Sequence, residues 1–520
     1  MSYEITCPYC FRKMQDDEVL FRSEKVNMGE SGILPEMYDD LEDFLDRYQG
    51  EDKEEILARY RDWEFFEAGP DAEYERFWKR FNGTTEYDPA DIHLGVEAWL
   101  RKVIDPQDPE HQKYLKDQGD EDYFIYDGQG MAIQVELATG ERCNRRVCRF
   151  CHNPLPANYG KTNVKFITVI GIVGSGKTVY LSQLLRGMTG YARKAGLAAI
   201  VNGASVLNFR RDNPVEAGEP LPAPTPEQRL QQPLFYELVQ DLGENRKNTE
   251  TLVMYDVAGE VFKSGQLISH YAPFVEHADG VLLLIDPMQF DVVSSVMAED
   301  EERDNPAQIL SVIHHIISEG DPYFKCETPF AICISKADEV MDIFSDNLRR
   351  MLLRDVEGIK APNGFDRPEF NAKAYNPILE ELTAFIQTHN MDLANQMAAN
   401  YTQYAYFAFT ALGCGVETGV RENGEPYQYP AGPVIPKRIE EPLLWLFYAL
   451  GYIKTNEHIG PIPCPVCGAR SEELPEAERK RVVKKGVLGF GRIEEEVNRA
   501  CTNPACGHRW FYTESPSVRR

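Results

Sequence analysis

The amino-acid sequence predicts an α/β fold in which a mostly parallel sheet is covered by helices on both faces. Apolar strands alternate with helical segments between residues 164 and 452, and most of these strands end in a short Gly-rich or polar motif. This alternation is typical of βαβ units, which bind ligands at the carboxyl ends of their strands. In addition, eight of the twelve cysteines form short-spaced pairs near the two chain ends. These pairs predict two small metal-binding modules beside the main domain.

Length and charge restrict the classes of protein to consider. A chain of 520 residues is too long for one compact core and is expected to hold two to four domains. Its net charge of -28 argues against the whole chain wrapping nucleic acid or an anionic membrane. The longest apolar runs are too short to span a bilayer, and no apolar leader follows Met1. We therefore expect a cytoplasmic protein.

The first cysteine pair is a C-x-x-C knuckle at Cys7 and Cys10, and its natural partner is the knuckle at Cys148 and Cys151. Four thiolates form a tetrahedral zinc site that is normally structural, since no ligand position stays open. Cys143 and His152 are alternative ligands. Residues 1–160 are thus predicted to be a split zinc ribbon, formed by 7–10 together with 143–152.

A strongly acidic insertion lies inside this split ribbon, at about residues 35–122. Residues 36–122 contain 27 acidic and 11 basic side chains, and aromatic residues such as Tyr74, Phe77 and Trp78 recur at helical spacing. Aromatic side chains at this spacing predict folded helices, not a disordered tail. The charge is explained either by a solvated outer face or by a docking surface for a basic partner.

A phosphate-binding loop is predicted immediately after the apolar strand from Lys165 to Ile170. Glycines allow backbone N–H groups to surround a phosphate, and the following helix, which runs to Lys194, adds its positive dipole end. In this pattern the lysine reaches the β- and γ-phosphates and the threonine hydroxyl holds Mg²⁺. We therefore expect Lys177→Ala to abolish nucleotide binding or turnover and to leave the fold intact. The predicted loop and first helical turn comprise Gly171, Gly174, Ser175, Gly176, Lys177, Thr178 and Val179.

A second motif follows a predicted hairpin. A Gly/Pro-rich connector from Asn202 to Arg229 leads to strands at 233–242 and 251–256. Asp256 lies at the tip of the second strand, where a carboxylate can hold Mg²⁺ through water, and the backbone N–H of Gly259 can contact a γ-phosphate.

Further strands and helices complete the predicted domain, which covers residues 161–457. A strand at 329–335 leads into Ser335, Lys336 and Asp338, and a strand at 404–409 leads into the turn Thr410-Ala411-Leu412. The other predicted elements are helices at 265–277 and 307–318, a strand at 280–286, a mostly helical segment after Glu339 and an amphipathic closing helix at 439–452.

The last module, residues 458–520, is predicted to be a second zinc ribbon with Cys464, Cys467, Cys501 and Cys506 as ligands. From Arg479 onward the chain has ten basic and four acidic residues, with Trp510 and two further aromatics nearby. This composition favours nucleic acid or another anionic partner. The alternative is a solvated ribbon that contacts the acidic insertion.

The four motifs GIVGSGKT, DVAG, SKAD and TALG occur in one order and together resemble the translation-factor-related class of P-loop GTPases, with a Ras-like G domain. The resemblance covers roughly residues 164–452 and implies GTP and Mg²⁺ as ligands. It implies that Asp338 accepts hydrogen bonds from guanine, that the stem of Lys336 lies along the base, and that the backbone at Ala411 contacts the guanine carbonyl. Ser335 stands where this class usually has asparagine, which removes one orienting amide.

The resemblance also implies two residues that respond to the γ-phosphate. Thr225, in the long connector, is our candidate for the switch threonine, although that region offers alternatives. Glu260 occupies the position where many Ras-like GTPases have the glutamine that orients the attacking water. A carboxylate can only accept from that water, so slow intrinsic hydrolysis is expected, with Lys177, Thr225, Gly259 and Glu260 as the catalytic set.

The flanking zinc knuckles, enlarged loops and DVAGE sequence are similar to the bacterial double-GTPase type, whose members work beside a second GTPase in conflict or signalling systems. We therefore expect a slow, partner-stimulated GTPase switch with a protein partner, such as a second GTPase. The alternative is a non-hydrolysing nucleotide-binding scaffold whose zinc ribbons bind protein or nucleic acid. An ATPase is disfavoured by Asp338.

Overall fold

The protein is described here from a computed structural model. The described residues are 3–22, 71–82, 103–116, 123–138, 142–172, 174–222, 232–243, 246–258, 261–262, 265–290, 305–421, 423–460, 464–467, 471–474, 481–485, 492–496 and 498–510.

The N-terminal part consists of short strands with one longer helix. Two knuckles, at 7–10 and 148–151, approach each other because β3 pairs with β8 across the long insertion. The helix α1 belongs to that insertion, and its Tyr74 and Trp78 are buried, as their helical spacing predicts. The elements are β1 Glu4–Thr6, β2 Lys13–Gln15, β3 Leu20–Arg22, α1 Ala72–Asn82, β4 Val103–Ile104, α2 Pro109–Gln112, β5 Phe124–Tyr126, β6 Ala132–Glu136, β7 Arg142–Cys143 and β8 Arg145–Val147.

A seven-stranded sheet forms the centre of the molecule. Its order is β10-β11-β12-β9-β13-β14-β16; the five strands from β12 to β16 are parallel, and β11 pairs antiparallel with both β10 and β12. Every residue of β13 and β14 is buried, so both faces of the sheet are covered there. The strands are β9 Asn163–Gly171, β10 Leu197–Val201, β11 Leu234–Gly243, β12 Arg246–Ala258, β13 Gly280–Ile285, β14 Phe330–Ile334 and β16 Tyr404–Ala408.

Helices connect these strands and agree with most of the predicted ranges. Among the described residues, no helix combines the length and apolar character required to cross a bilayer. The helices are α3 Lys177–Lys194, α4 Ser205–Asp212, α5 Gly265–Glu276, α6 Pro306–Ile317, α7 Asp346–Leu352, α8 Ala372–His389, α9 Met391–Asn400 and α10 Glu441–Ala449.

Three local predictions were wrong or incomplete. The strand β10 was not foreseen, and the predicted irregular connector begins with the helix α4. The closing helix α10 is not amphipathic, because all residues from Glu441 to Phe447 are buried, including the acidic one. Glu441 tolerates burial since its carboxylate pairs with Arg438, which is also buried.

Short strands surround the sheet and form the C-terminal module. The hairpin β17–β18 follows β16, and β15 pairs with β19. In the C-terminal ribbon, the basic strand β21 pairs with the acidic strand β22, so that Arg481 lies opposite Glu496. The remaining strands are β15 Glu369–Phe370, β17 Val416–Val420, β18 Pro426–Pro430, β19 Lys454–Thr455, β20 Ser471–Glu473, β21 Arg481–Lys485, β22 Arg492–Glu496, β23 Arg499–Cys501 and β24 Arg509–Trp510.

One apolar core joins the N-terminal knuckles to the sheet. Buried residues of the first knuckle, including Tyr9 and Phe11, belong to the same cluster as those of β9, β12 and α5. The Tyr255 hydroxyl donates to the carbonyl of Pro8 at 2.8 Å, and the Tyr159 hydroxyl donates to the carbonyl of Thr6 at 2.8 Å. The N-terminal knuckle is therefore packed as part of the main domain.

Candidate nucleotide site and cysteine clusters

The predicted motifs meet along the carboxyl ends of the parallel strands. Strand register places Ala258, Gly171, Leu284, Cys333 and Phe407 in one row across the sheet. Each of the four sequence motifs begins within a few residues of this row. Parallel strands of an α/β sheet present their ligand sites at this edge.

The loop between β9 and α3 has a backbone that favours glycine. Gly174 has φ 77° and Gly176 has φ 67°, a left-handed conformation that L side chains rarely adopt. A Cβ on Gly171 would lie 2.6 Å from the Ser175 hydroxyl oxygen, so a side chain cannot be added there without a shift. The loop closes tightly because the Ser175 amide donates to the carbonyl of Ile172 at 2.9 Å.

The Ser175 hydroxyl is buried and has no hydrogen-bond partner among the described residues. An unsatisfied buried hydroxyl costs free energy, and such groups in native proteins usually have a functional or ligand-related explanation. Thr178 and Val179 follow in the first turn of α3 and are half-buried. The loop thus has the backbone conformation and the polar groups that an anionic ligand requires.

Lys177 and Asp256 form an ion pair at the centre of this edge. Both side chains are buried: Lys177 is 7% exposed and Asp256 is 3% exposed. The structure therefore brings together the predicted phosphate-binding cation and the predicted magnesium-binding carboxylate, with Thr178 one residue away. These residue types fit a phosphate bound with a hard divalent cation, which prefers oxygen ligands.

The SKAD motif leads from β14 into a short 3-10 helix, Ala337–Val340. Asp338 is exposed on this helix and its side chain is accessible to a ligand. The Ser335 hydroxyl, in contrast, is buried and donates to the carbonyl of Ile285 at 3.0 Å. Burial raises the pKa of the neighbouring Glu339, and the charges of Asp286 and Asp338 raise it further, while Lys336 opposes this effect.

The turn Thr410-Ala411-Leu412 lies beside the SKAD motif. The Ala337 amide donates to the carbonyl of Phe409 at 3.0 Å, which joins the two motifs through their backbones. Thr410 exchanges backbone hydrogen bonds with Lys437, and Ile435 donates to the carbonyl of Leu412 at 2.7 Å. These bonds hold the turn at the edge where Asp338 is exposed.

Three predicted catalytic residues, Thr225, Gly259 and Glu260, lie outside the described residues. The segment that precedes Thr225 is described, and it is bonded to the hairpin β17–β18. The Gly218 amide donates to the carbonyl of Pro430 at 2.9 Å, and the Leu221 amide donates to that of Gln428 at 2.8 Å. Sequence patterns gave no indication of this link between the connector and the hairpin.

Asp286 is a second feature that the sequence analysis did not select. Its carboxylate is 4% exposed and accepts a hydrogen bond from the Lys336 ammonium at 2.9 Å. The available signal was its position at the end of the apolar run GVLLLI.

The cysteine pairs form two clusters of four. In each cluster the four sulfur atoms lie within 4.8 Å of one another. Measured Sγ–Sγ distances are 3.7 Å for both Cys7–Cys151 and Cys10–Cys148, and 3.8 Å for Cys464–Cys506 and 3.4 Å for Cys467–Cys501. A disulfide requires about 2.0 Å, whereas four sulfurs on a tetrahedron around zinc, each at about 2.3 Å, are about 3.8 Å apart. Both clusters therefore suit zinc.

The two alternative ligands at the N-terminal cluster are directed elsewhere. Cys143 is buried in a separate small core with Phe21 and Val135. The His152 Nδ1 atom lies 2.8 Å from a carboxylate oxygen of Asp71. Zinc binds cysteine as the thiolate, so metal binding at this cluster releases thiol protons.

Comparison with known sequences agrees with this arrangement. The sequence model of the Double-GTPase 2 domain matches residues 165–376. A protein of Mycolicibacterium smegmatis, described as "Putative ESX-1 scaffolding and assembly protein SaeC", is 26% identical over 225 residues. These residues are 41% of this chain and 53% of the relative, so the match spans about half of the relative's length.

Solved structures of GTP-binding proteins show weaker similarity. A variant of Era from Aquifex aeolicus, bound to GDP and AlF4⁻, is 12% identical with a TM-score of 0.22, covering 58% of this chain and 60% of that one. The Ski7 GTPase-like domain of S. cerevisiae, bound to GTP, is 14% identical with a TM-score of 0.23, covering 48% of this chain and 43% of that one. Because such scores establish no common architecture, the assignment depends on the family model and on the motifs. Residues 165–376 of this chain thus match a P-loop GTPase domain of the double-GTPase type.

Proposed function

We propose that this chain is a GTP-binding molecular switch that requires Mg²⁺ and hydrolyses GTP slowly on its own. The observation that carries the proposal is the buried ion pair between Lys177 and Asp256. In this arrangement the cation that would bind phosphate and the carboxylate that would hold Mg²⁺ neutralise each other. Nucleotide and metal together offer each of them a new partner of the correct charge.

The proposed roles follow from this replacement of the ion pair by contacts with nucleotide and metal. Lys177 turns to the β- and γ-phosphates, the backbone of Gly174, Ser175 and Gly176 surrounds them, and Gly171 leaves room for the loop. Asp256, through water, and Thr178 hold Mg²⁺, which neutralises phosphate charge when it is bound. Thr225 and Gly259 are proposed to respond to the γ-phosphate, and Glu260 to face the attacking water.

The base-recognition roles are proposed for the exposed carboxylate and the turn beside it. Asp338 accepts from guanine N–H groups, while Thr410, Ala411 and Leu412 present their backbone to the guanine carbonyl. Their support is the backbone hydrogen bond that joins the two motifs, together with the exposure of Asp338.

Nucleotide competition tests this proposal. GTP should displace a fluorescent guanine nucleotide from the full chain far more effectively than ATP. In Asp338→Asn, GTP should bind more weakly and xanthosine triphosphate should gain relative to it, since an amide can donate where the carboxylate only accepts. Equal competition by ATP and GTP in the unmodified protein would contradict guanine recognition.

Hydrolysis is expected to be slow, about 10⁻³ s⁻¹ or less, the order of an unassisted Ras-like enzyme. Glu260 lacks the donor of a glutamine amide, and in the proposed position its charge would oppose that of the γ-phosphate. Single-turnover kinetics on the isolated protein measure this rate. A rate near 1 s⁻¹ that is lost in Glu260→Gln would instead identify Glu260 as a general base.

A non-hydrolysing scaffold is the second candidate, because the Mycolicibacterium smegmatis relative is described as a scaffolding and assembly protein. In either case we propose a protein partner, such as a second GTPase in a bacterial conflict or signalling system, that stimulates turnover or reads the nucleotide state. A nucleic-acid partner would instead be bound by the basic C-terminal ribbon. Hydrolysis that stays undetectable with every candidate partner, while GTP binding persists, would favour the scaffold.

The proposed organisation has three parts: the split ribbon with its insertion at 1–160, the GTPase domain at 161–457 and the C-terminal ribbon at 458–520. We propose one structural zinc ion in each ribbon. A reducing, GTP-containing compartment suits this chemistry, so we propose the cytoplasm as its location.

A further inference from the structure

Asp286 lies between the phosphate loop and the SKAD motif. One carboxylate oxygen, Oδ2, accepts from the Lys336 ammonium at 2.9 Å, and the other, Oδ1, accepts from the Met288 amide at 2.9 Å. The carboxylate is thus oriented by the second bond and pairs with the lysine through the first. Its burial lowers solvent screening of the pair.

The pair also lies beside the phosphate loop. A Cβ built on Gly174 would lie 2.9 Å from Asp286 Oδ2, and one built on Gly176 would lie 3.8 Å from Lys336 Cε. The lysine stem therefore passes close to the loop, and the carboxylate occupies the space that a side chain at residue 174 would need. Asp286 and Lys336 join two motifs that are far apart in the sequence.

The backbone of Lys336 is in an unusual conformation. Its φ of 47° is left-handed, a conformation that non-glycine residues rarely adopt. Hydrogen bonds on both sides hold it, because Ser335 donates to the Ile285 carbonyl and Ala337 donates to that of Phe409. The side chain leaves this fixed backbone towards Asp286.

Ser335 does not orient the lysine. Its hydroxyl is bonded to the Ile285 carbonyl and is turned towards β13. The orienting amide that asparagine would supply at this position is absent, and Asp286 is the described group that holds the Lys336 ammonium.

We infer that Asp286 is a positioning residue for base selectivity, which fixes Lys336 against the phosphate loop so that the lysine stem forms one wall of the guanine pocket. This inference rests on the proposed GTP-binding function and adds a residue to it. Aliphatic lysine stems pack against apolar surfaces while their ammonium groups remain hydrogen-bonded. A guanine base would contact that stem only while the ammonium is held to one side.

A purely structural role for Asp286, as the cap of the short helix Pro287–Gln289, makes a different prediction. Asparagine is as good a helix cap as aspartate, so Asp286→Asn should preserve the cap. If the oxygen of the substituted amide accepts from the Met288 amide, however, the NH₂ group of that side chain faces the Lys336 ammonium. Two donors cannot form a hydrogen bond with each other. This substitution therefore separates the cap from the lysine contact.

The test uses full-length protein with Asp286→Asn, Lys336→Met and both substitutions together. Competition measurements give the dissociation constants for GTP and ATP, and thermal unfolding reports stability. We expect Asp286→Asn to weaken GTP binding about tenfold, the size of one charge-assisted hydrogen bond, to reduce the preference for GTP over ATP, and to leave the unfolding temperature nearly unchanged. In the Lys336→Met background, Asp286→Asn should add little.

The outcomes distinguish the inference from the function on which it rests. Selective GTP binding that is unchanged in Asp286→Asn would overturn the inference and leave the proposed function intact. An equal loss in both backgrounds would overturn it too, because the effect would not act through Lys336. Absence of GTP selectivity in the unmodified protein would overturn both.

Discussion

At the scale of single residues, the ion pair between Lys177 and Asp256 determines how the nucleotide site behaves. Both side chains are buried, and each neutralises charge on the other. Removal of one member of a buried pair leaves an uncompensated charge, which typically costs about 3–5 kcal/mol. We therefore expect Lys177→Ala to destabilise the fold, whereas the sequence alone suggested that the fold would stay intact.

We predict that Lys177→Ala both abolishes nucleotide binding and lowers the unfolding free energy of the nucleotide-free protein, by about 3 kcal/mol. The matched control is Lys177→Met combined with Asp256→Asn, which removes both charges and should recover most of the stability without recovering binding. Denaturant unfolding and fluorescent-nucleotide binding measure the two effects. Nucleotide binding by the double variant would place the phosphate site elsewhere.

At the scale of elements, the first cysteine knuckle and the helix α5 are packed through Phe11. The ring of Phe11 is stacked on His277, with centroids 4.8 Å apart, and meets Phe274 edge-on at 5.1 Å. It also contacts Phe166 of β9 and Tyr255 of β12. Since Tyr255 precedes Asp256, the knuckle contacts both the helix and the strand that flank the DVAGE motif.

We predict that Phe11→Ala destabilises the domain by about 3–5 kcal/mol, as is usual for an aromatic residue removed from a core. Phe365→Ala is the control, because that ring is 74% exposed and its loss should change stability by less than about 0.5 kcal/mol. Denaturant midpoints for both variants provide the comparison. If Phe11→Ala were as mild as Phe365→Ala, the knuckle would be a separate unit.

At the scale of the whole molecule, the two cysteine clusters differ in burial. In the N-terminal cluster three of four cysteines are buried and belong to the core that contains the central sheet. In the C-terminal cluster Cys467 is exposed and two further cysteines are partly exposed. A chelator therefore has easier access to the C-terminal site.

We predict two zinc ions per chain, released by a chelator in two phases, with the C-terminal ion lost first. Loss of the second ion should lower the unfolding temperature of the GTPase domain, because metal binding free energy contributes to the folding of the ligands around it. A colorimetric assay of zinc release over time resolves the two phases. Cys464→Ser should remove only the fast phase. A single zinc ion, or a slow phase that disappears in Cys464→Ser, would contradict this order.

The sequence by itself determined the chemistry of the motifs and the class of fold. GIVGSGKT between a strand and a helix, and cysteines spaced as knuckles, are local patterns, and the residue types that bind phosphate or zinc are fixed by ligand chemistry. The hairpin β11–β12 and the helix α3 were predictable for the same reason, since turn residues and apolar periodicity act over short distances. The four-ligand rule paired Cys7 and Cys10 with the second knuckle, whereas only the structure excluded the alternative ligands Cys143 and His152.

Only the tertiary structure decided which distant residues touch. The pairs Lys177–Asp256 and Asp286–Lys336 join strand tips that are neighbours across the sheet but separated by 79 and 50 residues in the chain. Sequence periodicity predicted an amphipathic α10, yet every residue from Glu441 to Phe447 is buried. This burial depends on what packs around the helix. The contact of Phe11 with α5 likewise depends on how a knuckle folds back onto a sheet more than 150 positions away. Local sequence does not predict such contacts, because they depend on the packing of the complete core.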